Sequence, residues 1–421
     1  MIKWIVSINK KIYYGWVIVA IGGLAFFMSS PGQTYSISVF VKEYSQVFGY
    51  SQTQISTAYS IATILSGLLL IFMGKAIDKN GSRKMMIFAG IMLALSTLFS
   101  SFASNITMIF IGFFLLRYFG QGSLTLLPNT LVPQWFEKNR ALAISIAAIG
   151  GLLGTLLVPS INLYLIKSIG WENAWRIWSA VLLIIFIPLV LGFAEDSPEK
   201  IGLKMENQAL DENLVANDLS TSNNSYTLKE AIKTKSFWIA GIISTIPSMF
   251  TTGMTFHFYT IMELSSITNE NAALIIGLIA LPSFIVPLFA KPFIDKQPMR
   301  RILFITLLMM IISMVLLITI VSNTFFAILF ILFYGLSIAT QGVALNVLWP
   351  NYFGRKHLGS IRGLATVFMV IGSALGPLPF GISYDQTGNY NIAIIGMIIL
   401  AIISASLALF IRKPHKSYDF S

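Results

Sequence analysis

The chain has 421 residues, 56% of them hydrophobic and only 11% charged, against roughly 25% charged in an ordinary soluble domain. At a mean hydropathy of +0.77, a water-soluble fold would be left with large exposed apolar patches, so most of the surface must face lipid. The absence of Cys excludes disulfides, thiolate chemistry and Cys-ligated metals, and the net charge of +11 takes its meaning from where the charges lie.

The first apolar run, near 14–40, is too long for the apolar region of a secretory signal, and others like it follow. It therefore reads as a retained membrane span. SSPGQTYS, Ser29 to Ser36, interrupts it with Pro31 and Gly32, and Gln33, Thr34 and Tyr35 follow. A helix broken at membrane depth is tolerated where it lines a cavity, because the freed backbone groups need partners. Gln33, Thr34 and Tyr35 are accordingly candidates for lining a ligand site. The second span, near 51–77, runs into GKAIDKNGSRK, Gly74 to Lys84, which concentrates five charged residues in eleven positions.

Spans three and four are expected near 85–103 and 106–131. Arg117 lies about 11 residues into the fourth, roughly 16 Å deep at 1.5 Å per residue, close to the midplane. A guanidinium there costs several kcal/mol unless it is paired or hydrated. Glu43 and Glu263 sit only at span ends, so no obvious internal carboxylate is at hand. A small carboxylate substrate, held bidentately, could supply the counter-charge; the alternative is a structural arginine bonded to carbonyls where Pro31-Gly32 breaks the first helix. The fifth span, near 140–166, carries Ala143, Ser145, Ala147, Ala148, Gly150, Gly151 and Gly154, small residues that let helices approach closely. A sixth follows near 175–194.

Residues 195–235 are polar and Asn/Ser-rich, and are expected to link an N-terminal six-helix bundle, 1–194, to a C-terminal one, 236–421. The seventh span, near 236–262, holds His257, the one His inside a span, together with Tyr259. An imidazole can titrate near neutrality and carry a coupled proton, although a membrane His can equally be a hydrogen-bonded packing residue. After an eighth span near 271–290, AKPFIDKQPMRR at Ala290 to Arg301 repeats the charged stretch in blurred form, with Asp295 in the place of Asp78. Spans nine to twelve are expected near 302–321, 324–349, 360–383 and 390–411; Tyr334, Gln341 and Asn346 of the tenth are further polar lining candidates.

Lys and Arg alternate between the connections. With the N-terminus in the cytoplasm, only Lys42, Lys167 and Arg176 fall outside and Arg117 within a span. That bias sets both termini inside and makes the positive charge a topology signal, with no need of nucleic acid. The halves also repeat: Asp78/Asp295 and Pro133/Pro350 are 217 residues apart, while Gly150/Gly372 and Gly154/Gly376 are 222 apart. Parallel six-helix repeats with a substrate site near the midplane characterise one transporter architecture.

GKAIDKNGSRK resembles the loop between helices two and three of the major facilitator superfamily, G-x-x-x-D-[RK]-x-G-x-[RK]-[RK], with Gly74, Asp78, Lys79, Gly81, Arg83 and Lys84 in place. RYFGQG, Arg117 to Gly122, is similar to that superfamily's helix-four R-x-x-G-x-G. The resemblance implies an all-α polytopic membrane protein, twelve helices in two pseudo-symmetric bundles, and a cytoplasmic gate. In the gate Asp78 would face the positive end of a helix from the other half, while Arg83 and Lys84 pair across the loop, with Asp295 as its counterpart. YYGWVIV, VFVKEY and WFEKNRALAISIAAIGGLLG further resemble the monocarboxylate porter branch, which includes oxalate–formate exchangers. Animal members of that branch have a Lys where Tyr35 stands and an Asp and Arg in helix eight, where ALPSFIVPLFAKP offers only Lys291. Lactate–proton symport in its usual form is thereby in doubt.

The expected function is secondary transport of a small organic anion, a monocarboxylate or dicarboxylate, by alternating access, as proton symport or anion exchange. A multidrug or metabolite exporter of the same fold is one alternative, cued by GGLLGTLLVP and GSALGPLP; a non-transporting membrane sensor is another, against which the short tails argue. No nucleophile–base pair, metal cluster or G-x-x-x-x-G-K-[ST] loop is readable, so no enzyme, metal or cofactor is expected. The expected setting is a bacterial inner membrane, with a monomer in contact with lipid, its substrate and, for symport, protons.

Overall fold

An apolar segment in lipid has no water to bond its backbone, so it closes its hydrogen bonds internally as helix. The computed structural model describes residues 13–136, 139–201, 203, 225–319, 324–354 and 357–414, leaving out the side chains of 141, 290–295 and 359. Among these residues there is no strand, and twelve helices are long and apolar enough to cross a membrane. In order they are Gly15–Phe48, Gln52–Asn80, Ser82–Ser100, Ile106–Gln134, Leu142–Ile169, Trp171–Phe193, Lys235–Phe256, Asn269–Phe289, Met299–Thr319, Thr324–Phe353, Ser360–Thr387 and Asn391–Phe410, the first to twelfth spans. Leu68, Ile71, Phe72, Ile184, Phe289 and Phe410 lie exposed, as lipid allows and water would not. The first helix runs on to Phe48, past the apolar limit near 40, because hydrocarbon thickness bounds only the apolar part of a helix.

Local chemistry sets the helix ends. Ser51 opens the second span with a capping box: its Oγ accepts from Gln54 N–H at 3.2 Å, and the Gln54 side chain accepts from Ser51 N–H at 2.9 Å. Asn105 caps the fourth span by accepting from Met108 N–H at 3.0 Å. Gly81 separates the second and third spans at φ +85°, where any side chain is strained.

Several spans are not plain α-helix. In the first, Ser30–Gly32 form a 3-10 turn and Gln33 is extended before helix resumes at Thr34. The fourth widens into a π-helical turn over Leu116–Ser123. The seventh stops at Phe256, and helix resumes at Phe258 beyond His257.

The chain divides into two compact units, Met1–Asp211 and Glu212–Ser421. Within the first, the first span packs against the fifth and the fourth through small residues: a Cβ on Gly150 of the fifth would collide with the Gly23 carbonyl, and one on Gly32 with the Leu116 carbonyl of the fourth. Closest approach at glycine is how membrane helices gain packing contacts, since lipid provides no hydrophobic drive between them. In the second unit the seventh and eleventh spans meet the same way, with Gly372 against the Thr245 carbonyl. Phe237, Trp349 and Phe353 centre an apolar cluster there, and the end of the linker docks on it, Tyr226 N–H donating to Phe353 O at 2.8 Å.

Candidate functional site

The π-helical turn of the fourth span lies against the break of the first, Gly120 facing Gly32 with no room for a Cβ on either. A π turn re-aims side chains relative to an α-helix, and here it carries Arg117, only 5% exposed. Arg117 Nη1 donates to Thr34 Oγ1 at 3.3 Å, and the guanidinium stands 5.1 Å over the Tyr59 ring of the second span. Tyr59 Oη and Thr34 Oγ1 are 2.8 Å apart, closing a triangle. Arg117 Nε has no partner, and among the described residues Arg117 makes no ion pair.

Magnitudes show what is missing. A buried charge costs several kcal/mol, while a desolvated cation–ring contact returns about 2 kcal/mol and a hydrogen bond to a charged group about 1.5–3 kcal/mol. At 3.3 Å the Thr34 bond sits at the long end of the range. Buried oxygens without partners lie on the same two spans: Ser60 Oγ and Thr63 Oγ1 just beyond Tyr59, and Gln121 Oε1 just beyond Arg117. The two spans touch on either side of these atoms, at Tyr59–Phe113, 5.6 Å between ring centroids, and where Gly122 faces Leu70. The first unit thus holds a buried cation and several unsatisfied polar atoms between its second and fourth spans.

Of the first-helix candidates, Thr34 alone bonds Arg117. Gln33 Nε2 turns back to Ser29 Oγ at 3.1 Å, and the Tyr35 hydroxyl is bonded to Ser30 Oγ at 3.0 Å and to Thr155 of the fifth span. The structural alternative expected carbonyl partners for Arg117; its partners are instead a hydroxyl and a ring. Tyr59 was not singled out from sequence. Its signal is a polar stripe at helical spacing in an apolar span, Ser56, Tyr59, Thr63 and Ser66, all buried.

The second-unit candidates are engaged separately. His257 is 1% exposed, with Nε2 at 3.1 Å from the Pro377 carbonyl and Nδ1 at 3.3 Å from Tyr390 Oη. Tyr334 is buried against Phe250 and Phe330, its hydroxyl bonded to Thr251 and Thr255. Gln341 Nε2 donates to the Ile243 carbonyl at 2.8 Å, and Asn346 Oδ1 accepts from Arg362. Tyr259 is buried with its hydroxyl unpartnered.

At the charged end of the first unit, Arg83 finds partners at the end of the sixth span. Its Nη1 meets Glu195 Oε1 at 2.6 Å, its Nη2 donates to Leu191 O at 2.7 Å, and its backbone N–H donates to Asp196 Oδ1 at 2.7 Å. Lys200 also holds Asp196, at 2.7 Å. Gly81 is required beside them, since a Cβ there would lie 2.6 Å from Asp196 Oδ2. Trp135 Nε1 donates to Glu195 O at 3.0 Å and Tyr14 Oη to Phe193 O at 2.9 Å, so helices one, three, four and six are tied at one point. Gly74 has open space around it; Asp78, Lys79 and Lys84 are exposed, and Asp78 has no partner among the described residues. Asp295 lies in helix Ala280–Lys296, with its side chain outside the described residues, as is that of Lys291.

Twelve membrane-crossing helices in two units, one of them enclosing a buried cation, define a multi-pass membrane protein of the transporter class. The profile of the Major Facilitator Superfamily matches residues 16–377, and the chain belongs to that superfamily of transport proteins. Curated relatives include human Monocarboxylate transporter 14, 32% identical over 32% of this chain and 27% of its own. Another is the riboflavin transporter RibJ of Trypanosoma cruzi, 28% identical over 44% of this chain and 40% of its own. The match thus spans well under half the length of these relatives. Among solved structures, the nucleoside transporter NupG aligns with a TM-score of 0.71 at 14% identity, over 95% of this chain and 98% of its own. A bacterial homolog of the human lysosomal transporter Spinster, inward-facing and occupied, aligns with a TM-score of 0.71 at 13% identity, over 96% of this chain and 97% of its own. Such identities speak for the fold.

Proposed function

We propose that this transporter moves a small organic anion, a monocarboxylate or dicarboxylate, across the cytoplasmic membrane by alternating access, as proton symport or anion exchange, with both termini in the cytoplasm. The observation that carries the reading is Arg117: a buried guanidinium held by one hydroxyl and one ring, with Nε unpartnered. A carboxylate is the group that completes such a site, since it accepts two parallel N–H bonds and cancels the charge. Ser60, Thr63 and Gln121 offer unsatisfied oxygens on the same spans for the rest of the ligand. The monocarboxylate transporters among the relatives support the same substrate class. The charged end, Gly74 to Lys84, is the proposed cytoplasmic gate, in which Arg83 and Glu195 brace the first unit while exposed Asp78 is left to engage other groups.

A thermal-shift screen of purified protein against formate, acetate, L-lactate, oxalate and succinate tests the reading. Ligand at 100 times its dissociation constant adds about 2.7 kcal/mol to stability, a shift that is easily read. Uptake of the best ligand into proteoliposomes should vanish in Arg117→Ala with the protein still folded; unchanged uptake would remove Arg117 from the site. The second reading, a carrier or exporter of neutral aromatic metabolites, is favoured by the RibJ match and the ring beside Arg117. Stabilisation by riboflavin, nucleosides, dyes or antibiotics, with none by carboxylates, would establish it instead.

A further inference from the structure

The two units repeat at the level of individual contacts. In the first unit the fifth-span glycines 150 and 154 press on Gly23 and on Phe27, Ser30 and Tyr35 of the first span. In the second, the eleventh-span glycines 372 and 376 press on Thr245 and Met249 of the seventh. One shift of 222 positions carries Gly23 to Thr245, Phe27 to Met249, Gly150 to Gly372 and Gly154 to Gly376. The same shift carries Tyr35 to His257 and Thr155 to Pro377. The side-chain tie from Tyr35 to Thr155 in one unit is therefore repeated as the tie from His257 to the Pro377 carbonyl in the other. Each tie adjoins a helix break, Ser30–Gly32 in the first span and His257 itself in the seventh.

We propose that Tyr35 and His257 are equivalent positioning residues, each pinning the broken first helix of its unit to the fifth, and that His257 does this as a neutral imidazole and not as a proton carrier. The hydrogen-bond partners set the tautomer. A carbonyl only accepts, so the ring hydrogen sits on Nε2 and points at Pro377 O. Nδ1 is then an acceptor and receives the Tyr390 hydroxyl, whose pKa burial raises, keeping it a donor. Around the ring stand Phe256, Phe380 stacked at an interplanar angle of 10°, and Tyr390, with Asp385 of the eleventh span as the charged group acting on it. A second ring proton would turn Nδ1 from acceptor to donor and break the Tyr390 bond as it is made here. The inference goes beyond the anion reading and does not depend on it.

The test uses full-length purified protein and two substitutions at one position. His257→Gln keeps an amide N–H that can reach Pro377 O; His257→Leu removes it. Amide hydrogen exchange in peptides 254–262 and 374–382 should rise about tenfold or more in the Leu variant and stay near wild type in the Gln variant. Tyr35→Phe should loosen 29–36 and 150–157 and leave the second-unit peptides unchanged. A ring held neutral in the folded protein is protonated in the unfolded chain below about pH 6.5, so the wild-type unfolding midpoint should fall relative to that of His257→Gln as the pH drops from about 7 to 5. Parallel curves, or a wild type that gains on the variant in acid, mean the folded ring takes up a proton as readily as the unfolded chain, and overturn the proposal. So would a Leu variant with wild-type exchange, or a Gln variant that fails to fold.

Discussion

Gly81 offers a quantitative check on the tie at the charged end of the first unit. Alanine there meets two penalties. The backbone stands at φ 85° and ψ 155°, a region close to glycine-only, and holding another residue in it costs about 1–3 kcal/mol. The new Cβ also points 2.6 Å from Asp196 Oδ2, so the carboxylate must move. Asp196 accepts the Arg83 backbone N–H and the Lys200 ammonium, both at 2.7 Å. Disturbing a charge-assisted bond of this kind costs about 1.5–3 kcal/mol, less on the Lys200 side, where the lysine is largely exposed. A total of about 3 kcal/mol is reasonable, and at about 2–4 °C per kcal/mol it lowers the melting temperature by roughly 10 °C. Gly49 provides the control: it is also left-handed, at φ 68°, but nothing lies within 4 Å of its Cβ position. Gly49→Ala should cost only the backbone part, about 1 kcal/mol. Melting curves of the two variants side by side decide the matter. Equal shifts would show that Asp196 does not crowd Gly81, and the tie as described would be wrong.

Glu195→Gln should weaken the first unit by about 1 kcal/mol, with the loss shrinking at 1 M salt as the partly exposed Arg83 pair is screened; a salt-independent loss in melting curves would mean packing and not charge. Tyr59→Phe removes the hydroxyl beside Thr34 but keeps the ring, so ligand affinity in the thermal-shift assay should fall a few-fold, whereas Tyr59→Leu should lose about tenfold or more with the cation–ring contact. Asp78→Asn should leave stability within about 0.5 kcal/mol of wild type, because the residue is exposed and unpartnered here, yet slow turnover more than it weakens binding. Equal transport by wild type and Asp78→Asn would end the gate reading.

The number and rough placement of the membrane helices, the break at Pro31-Gly32, the place of Arg117 within the fourth span and the repeat of Gly150 and Gly154 at Gly372 and Gly376 are all legible along the chain. They are legible because lipid imposes a length and a composition on each span, because proline lacks an N–H, and because close helix crossings demand residues without bulk. Tertiary structure alone decided who meets whom. Arg117 takes Thr34, 83 residues away, and the Tyr59 ring; Arg83 takes Glu195, 112 residues away; His257 takes Pro377 and Tyr390. Those choices depend on how each helix is rotated about its axis and on where a π turn or a 3-10 break shifts its register. Hydropathy carries no such information, since lipid accepts any rotation that keeps polar groups inward, and only the packing of several helices together selects one.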